Sequence, residues 1–430
     1  MSGFGRVFAG QNFAVLGLGK AGLPAALALR GMGATVSVWD DDATLREAAT
    51  GFTVMQPSHT QARLDALVLS PGIPHHLPQP HPQAAWAAAH GVPILIDAEL
   101  LYRAVRASGS AAKFAGITGT NGKSTTTSLL AHILDVAGVP NAAGANLGPA
   151  ALSLPRLSES GVYVLEMSSY MLERLATLRF DVAAMLNLTP DHLDRHGSMA
   201  GYAAAKREIF ARQDAACTAV VTMEDAPSRA MAAWLDGQAA QVVRIHTGDA
   251  PGAGPALPGA HNAQNAAVAR AMARALGVGE ADIIRGIASF PGLPHRQQEV
   301  ASFAGVRFIN DSKATNADAT ARAMACYPRF VWIAGGIAKT GGIVGLAPCF
   351  PRIEKAFLIG QDAAMFAATL SAHGVANEIA GTLDAAVPRA RSAATSGVVL
   401  FSPAAASFDQ FPNFELRGEH FTTLARAGRG

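Results

Sequence analysis

Glycines, a lysine and hydroxyl side chains close together are the residue types that hold a polyphosphate. Gly116-Ile117-Thr118-Gly119-Thr120-Asn121-Gly122-Lys123-Ser124-Thr125 supplies them in one short run. In such a turn, backbone N–H groups point inward and the dipole of the following helix favours negative charge. Lys123 is placed to reach the phosphates, and Ser124 to offer a hydroxyl to the magnesium that accompanies them. The strict G-x-x-x-x-G-K-S/T pattern is not met, because Ile117 stands where its first glycine belongs. The competing reading is a glycine-rich turn with an exposed lysine. The flanking pattern favours the phosphate loop. Residues 112–117 read as a short buried strand, and 126–137 as a helix with Leu129, Leu130, Ile133 and Leu134 on its apolar side.

Two further chemical groups follow apolar strands. Residues 163–165 lead to Glu166 and Met167-Ser168-Ser169-Tyr170. Residues 183–188 lead to Thr189-Pro190-Asp191-His192-Leu193-Asp194-Arg195-His196. In a parallel sheet the strand exits share one edge, so Lys123, Ser124, Glu166 and His192 are expected to converge. Hard oxygen ligands beside a phosphate loop imply Mg²⁺. Taken singly, Glu166 reads as a helix cap or ion-pair partner and His192 as a loop histidine with a local hydrogen bond. Their shared placement at strand exits favours the metal site.

A second glycine turn lies upstream. Gly17-Leu18-Gly19-Lys20-Ala21-Gly22 follows the strand 13–16, and the next strand, 34–39, ends at Asp40. This G-x-G-x-x-G pattern suits any diphosphate, a nicotinamide dinucleotide or a UDP-sugar alike, and a tight turn without ligand remains the other reading. Ser70-Pro71-Gly72-Ile73-Pro74 leaves the strand 66–69, and the proline-rich stretch 71–82 is expected to be irregular. Residues 92–96 read as a strand, 99–107 as a helix and 107–111 as a linker. Asn146-Leu147-Gly148 closes another loop after a short strand.

The elements that must carry these groups are strand–loop–helix repeats, so the fold class is α/β. A chain of 430 residues needs more than one core. Three domains are expected, with limits 1–109, 110–292 and 293–430. The third repeats the pattern, with strands 306–309, 329–333, 355–359 and 398–401. Their exits carry Asn310-Asp311-Ser312-Lys313-Ala314-Thr315-Asn316, Gly335-Gly336-Ile337-Ala338-Lys339 and Ser402-Pro403-Ala404-Ala405-Ala406-Ser407-Phe408-Asp409-Gln410-Phe411. Lysines and hydroxyls at such exits can hold a small dianion, and lysines buried beside these glycine turns are expected rather than solvated ones. The glycine- and proline-rich segment 248–259 is expected to be a surface loop.

A net charge of +2 predicts no affinity for nucleic acid or an anionic membrane. Cys217, Cys326 and Cys349 are few and scattered, which suggests neither disulfides nor a zinc site. No signal peptide is evident and no apolar run reaches membrane-spanning length, so no membrane insertion and a cytoplasmic location are expected.

The phosphate loop T-G-T-N-G-K-S resembles that of the Mur ligase family, ATP-dependent enzymes that add amino acids to the peptidoglycan precursor. The resemblance runs along the chain in order: Leu165-Glu166-Met167-Ser168-Ser169-Tyr170, then Asn187 through Arg195, then Tyr202-Ala203-Ala204-Ala205-Lys206, then Asn262-Ala263-Gln264-Asn265. It implies a Rossmann-like first domain binding a UDP-substrate, a central P-loop ATPase-type parallel sheet and a doubly wound, dinucleotide-fold-like third domain binding the amino acid. Lys206, by itself an unremarkable helical lysine, takes the place of the family's carbamylated lysine. The implied cofactors are ATP and two Mg²⁺ ions, one held by Ser124 and Glu166 and the other by His192 and Lys206. Lys123, His192 and Lys206 are the implied catalytic residues. ATP contacts are expected from Gly119, Thr120, Asn121, Gly122, Lys123, Ser124, Thr125, Asn262, Asn265, Arg296 and Asp311. UDP-substrate contacts are expected from Gly17, Gly19, Lys20, Asp40, Ser70, Pro71, Gly72 and Asn146. The motifs N-D-S-K-A-T-N and S-P-A-A-A-S-F-D-Q-F-P-N-F resemble the members that add D-glutamate. They imply UDP-MurNAc-L-Ala and D-glutamate as substrates, a monomer, and D-glutamate contacts from Lys313, Thr315, Lys339, Ser407 and Phe414. A sister ligase for another amino acid shares the same chemistry, and a nicotinamide oxidoreductase would use the first turn alone.

Overall fold

The computed structural model describes residues 3–246, 248–249, 254, 256–394 and 397–427. Three separate open sheets are built from them. The first holds β1 (Asn12–Leu16), β2 (Thr35–Trp39), β3 (Thr53–Val54), β4 (Ala66–Leu69) and β5 (Ile94–Leu95) in the parallel order β3-β2-β1-β4-β5. Side chains alternate across a strand. Phe13 and Val15 of β1 therefore enter one apolar cluster, while Ala14 and Leu16 enter another on the opposite face. Such double burial is why β1 and β4 read as unbroken apolar runs. The strand expected over 92–96 shortens to β5, since Pro93 has no N–H for the ladder.

The second sheet holds β6 (Lys113–Thr118), β7 (Asn141–Ala145), β8 (Val162–Glu166), β9 (Val182–Met185), β10 (Thr218–Thr222) and β11 (Gln241–Ile245). It is wholly parallel in the order β11-β10-β9-β6-β8-β7. Its direction of growth reverses around β6, so the exits of β6, β8 and β9 flank a crevice of the kind that binds ligands in open α/β sheets.

The remaining strands are β12 (Gln298–Phe303), β13 (Val306–Asn310), β14 (Phe330–Gly335), β15 (Ile337–Ala338), β16 (Ile353–Ile359), β17 (Asn377–Gly381), β18 (Gly397–Phe401) and β19 (Ala405–Ala406). Six form the third sheet, β12-β13-β18-β14-β16-β17, parallel except for β12 at its edge. β15 and β19 pair as a short antiparallel ribbon. Val398 and Leu400 face one core and Val399 and Phe401 the other, so helices cover both faces.

The chain divides into two compact units, 1–251 with 264–289, and 252–263 with 290–430. The first two sheets belong to the first unit. One apolar cluster there runs from Val15 of β1, through Leu100 and Leu101 of the helix Asp97–Ala107, to Phe114 of β6 and Tyr163 of β8. The third sheet belongs to the second unit, which also takes in 252–263. The surface loop expected at 248–259 lies partly outside the described residues. Among the described residues, no helix is long and apolar enough to cross a membrane. Cys217, Cys326 and Cys349 are free thiols.

Candidate active site

The phosphate loop leaves β6 and enters the helix Lys123–Val136. Gly122 turns the chain at φ +87°, and a Cβ there would lie 2.4 Å from the side-chain oxygen of Asn265. Only glycine satisfies both conditions. The loop is fastened to the exit of β9. Thr120 N–H donates to Asn187 O at 3.0 Å, Asn121 N–H to Asn187 Oδ1 at 2.8 Å, and Asn187 Nδ2 returns a bond to Asn121 O at 3.0 Å. Lys123 Nζ donates to the Gly119 and Thr120 carbonyls, each at 2.9 Å, so its charge sits over the loop. Ser124 and Thr125 follow in the first helical turn, both half-buried.

Glu166 ends β8 and is buried. Its Oε1 accepts from Asn146 Nδ2 at 2.6 Å, and its Oε2 is buried with no protein partner. A buried carboxylate oxygen left without a donor is costly unless something cationic meets it. It therefore suits a hard cation, and the residues present fit Mg²⁺. Asn146, expected on the UDP-substrate, here orients this carboxylate instead.

Lys206 lies on the helix Met199–Arg207 and is only 1% exposed, against the plain reading of a surface lysine. Its Nζ donates to Gly119 O at 2.9 Å and Thr118 Oγ1 at 3.2 Å, and it stands 4.7 Å from the Tyr202 ring centroid. Burial, and then the Lys123 charge, hold this amine well below the usual lysine range. His192 opens the short helix Leu193–His196 with φ +53° and is exposed, its ring between those of Tyr170 at 5.0 Å and Tyr202 at 6.3 Å. Burial of the ring lowers its pKa, Asp191 opposes that, and Lys123 and Lys206 add to it. The phosphate loop, Glu166 and His192 thus gather at one sheet edge, where the strand exits placed them, and Lys206 and Asn265 join them there. Among the described residues no group of three or more His, Cys, Asp or Glu side chains is arranged to hold a metal ion.

A second group lies where the first sheet reverses, between β1 and β4. A Cβ on Gly22 would fall 1.7 Å from Gly17 O, so the third glycine of the motif lets the helix Gly22–Gly31 close on the turn. Ser70 Oγ donates to Gly17 O at 2.8 Å and joins the two exits. Pro71 is half-buried, while Gly19, Lys20 and Gly72 are exposed beside them. Asp40 is not turned outward as a ligand contact. Its two oxygens accept from Leu18 N–H at 2.6 Å and Asp42 N–H at 2.9 Å, which stabilises the turn itself.

Sequence reasoning missed the groups that tie this region to the second sheet. Glu99, 0% exposed, accepts from the backbone N–H groups of Ala176, Thr177 and Leu178 and from Thr177 Oγ1. Arg174, 2% exposed, donates to the carbonyls of Leu69, Ser70 and Ile73. Glu99 also accepts from Arg103 Nε one turn on at 2.8 Å, a local pair that reads as a surface ion pair, and an arginine in a turn carries no local signal. Asn187 opens the motif that carries His192, but its part in fastening the phosphate loop was not read from it.

In the second unit, Asp311 is buried. Its Oδ2 accepts from Ser402 Oγ at 2.7 Å and its Oδ1 from Gln297 N–H at 3.1 Å, beside Arg296. Lys313 lies half-buried with its Nζ 3.9 Å from the Phe414 ring centroid, and Thr315 N–H donates to Lys313 O at 2.8 Å. Phe414 begins the last helix, where Asn413 caps Leu416 N–H at 2.7 Å. Ser407 is buried after β19. Lys339 is exposed, not buried, because β15 ends and the chain turns outward at Gly341 and Gly342. Asn262 is buried and donates to Pro258 O at 2.8 Å. Arg417, 1% exposed, was missed: it bonds Ser312 Oγ, Ser312 O and Ala405 O, locking the exits of β13 and β18.

Residues 117–253 match the Mur ligase middle domain. The chain is 47% identical to the UDP-N-acetylmuramoylalanine–D-glutamate ligase of Paramagnetospirillum magneticum, covering 97% of both chains. It is 44% identical to that of Caulobacter vibrioides, covering 97% of this chain and 96% of the other. Among solved structures, MurF from Acinetobacter baumannii superposes with a TM-score of 0.62 at 19% identity, over 98% of this chain and 93% of that one. The UDP-N-acetylmuramate-alanine ligase MurC of Thermotoga maritima gives 0.60 at 17%, over 97% and 100%. These structures share the fold. Near-full-length identity to the curated relatives shows more: the chain belongs to the family of UDP-N-acetylmuramoylalanine–D-glutamate ligases.

Proposed function

We propose that this chain joins D-glutamate to UDP-N-acetylmuramoyl-L-alanine with ATP as co-substrate, releasing ADP and phosphate, in peptidoglycan precursor synthesis. The near-full-length identity to ligases of that name carries the reading. Amide formation needs the acceptor carboxylate oxygen to become a leaving group. The carboxylate of the L-alanyl unit attacks the γ-phosphate and forms an acyl phosphate. The amine of D-glutamate then attacks the acyl carbon, and phosphate departs from the tetrahedral intermediate. Little covalent work falls to the protein, so charge placement and orientation set the rate.

Lys123 and the N–H groups of 119–125 offset the phosphate charge, and Asn262, Asn265, Arg296 and Asp311 make further contacts to ATP. Ser124 and Glu166 would hold one Mg²⁺, and His192 with a carbamylated Lys206 a second, which bound there supply further neutralisation of the phosphate oxygens. The orphan oxygen of Glu166 supports the first site, and the depressed Lys206 amine supports carbamylation, because only a neutral amine adds CO₂. Gly17, Gly19, Lys20, Ser70, Pro71 and Gly72 bind the UDP-substrate, with Asp40 and Asn146 acting through the turn and Glu166. Lys313, Thr315, Lys339, Ser407 and Phe414 orient D-glutamate. Segments 1–109, 110–292 and 293–430 carry the UDP-substrate, ATP and amino-acid roles, a division supported by the confinement of each sheet to one of them. The enzyme acts as a cytoplasmic monomer.

The test is phosphate release from ATP and UDP-MurNAc-L-Ala with and without D-glutamate, repeated with a panel of other amino acids. Release that depends on D-glutamate is expected. Equal or better release with L-alanine, L-lysine or diaminopimelate would assign the chain to a sister ligase.

A further inference from the structure

The loop 69–73 has an uncommon set of partners. Arg174 NH1 donates to Leu69 O at 2.9 Å and Ser70 O at 3.0 Å, and its NH2 to Ile73 O at 2.6 Å. Arg195 NH1 donates to Gly72 O at 3.0 Å. Within 69–73 only the Pro71 carbonyl is outside this clamp. Guanidinium groups usually seek carboxylates. Here the buried Arg174 is spent on backbone carbonyls, and His75, held neutral at about 3 by burial and then by the Arg174 charge, accepts from it at 3.4 Å. The loop cannot shift without breaking several charge-assisted bonds at once.

Both arginines come from segments that also carry the metal-site side chains. Arg174 follows Glu166 and the helix Ser169–Leu172, and Arg195 lies three residues beyond His192. The clamped loop touches the glycine-rich turn through Ser70 and Gly17. We propose that Arg174 is a positioning residue for the UDP-linked acceptor. It sets the distance between the loop that holds that substrate and the edge where the phosphate is transferred. A misplacement of about 1 Å in such a geometry can cost on the order of a hundredfold in rate.

The inference rests on the ligase reading, so wild-type phosphate release is measured first. If wild type shows no release with both substrates present, the ligase reading fails. With an active wild type, Arg174→Lys and Arg174→Met are compared. Lysine keeps the charge but lacks the planar fork that reaches several carbonyls. Both variants are expected to raise KM for UDP-MurNAc-L-Ala about tenfold or more and to lower kcat, with KM for ATP within about twofold. Unchanged KM for the UDP-substrate, or an equal rise for all three substrates, overturns the proposal. A measurement on wild type stands if the variants do not fold. Amide exchange at Ile73, whose N–H donates to the clamped Ser70 carbonyl at 3.1 Å, is expected to be slow without any substrate, and fast exchange there would overturn the clamp.

Discussion

Lys206 shows how a single residue's surroundings decide its chemistry. An ammonium sealed among the Thr118 hydroxyl, the Gly119 carbonyl and the Tyr202 ring has little solvent to stabilise its charge, and Lys123 repels it. Burial and the Lys123 charge shift the amine toward its neutral form, and a carbamate would turn a repelling cation into two hard oxygen acceptors. Lys206→Ala is expected to lose nearly all activity, and formate or acetate to restore part of it by filling the vacated space. Full activity in the variant would refute the role. The two lysines proposed to hold D-glutamate differ in the same sense. Lys313 is held against Phe414, whereas Lys339 stands in solvent, where its charge is screened. Either substitution to alanine is expected to raise KM for D-glutamate more than for UDP-MurNAc-L-Ala, with the larger effect at Lys313. A uniform loss over all substrates would point to structural damage.

At the scale of elements, the strands that bear chemical groups, their exits and the glycine turns were legible because each carries its own signal, whereas β10, β11, β12 and β17 were not read. Unbroken apolar runs mark doubly covered strands, and the glycines mark turns. The groups that join elements were not legible. Glu99 sits in a helix whose pattern would place an acid at the surface, yet it is buried against the 176–178 backbone. Nothing near it in sequence announces a partner almost eighty residues away. Burial alone would raise the Glu99 pKa, but the bonds from Thr177 and from the backbone of 176–178 outweigh it and lower it. A carboxylate depressed in the folded state stabilises above its ordinary value of 4.5, and that contribution is lost as pH falls below it. Glu99→Gln turns an NH₂ toward backbone donors and leaves at least one of them unmet. The expected cost is about 2–4 kcal/mol near pH 7. Thermal unfolding of wild type and variant should converge as the pH drops below about 4.5, and a gap that stays constant into acid would deny the carboxylate its role.

For the molecule as a whole, the order of the three sheets followed from the order of the strand and glycine motifs, but the pH response of the fold depends on buried groups that no motif reveals. Asp311 is the clearest. Burial pushes its carboxyl up to about 7, against the bonds from Ser402 and Gln297 and the charge of Arg296. Ser402 Oγ lies 2.7 Å from Asp311 Oδ2 and 3.0 Å from Thr320 Oγ1, so the carboxyl ends a buried chain of hydroxyls that can carry it in either protonation state. The sign of the consequence is the reverse of that at Glu99. Between the ordinary value of 3.8 and about 7, the folded chain keeps a proton that the unfolded chain has released. Asp311 therefore makes stability fall as pH rises through that window, and its full penalty, on the order of a few kcal/mol, is present above it. Asp311→Asn keeps the shape and the neutral charge, offering Nδ2 to Ser402 and Oδ1 to Gln297. Amide exchange in β13 and β18 is expected to quicken in wild type between pH 4 and about 7 beyond the intrinsic base-catalysed rise, and to follow the intrinsic rate in the variant. The same excess in both proteins would show that a group other than Asp311 governs the pH response.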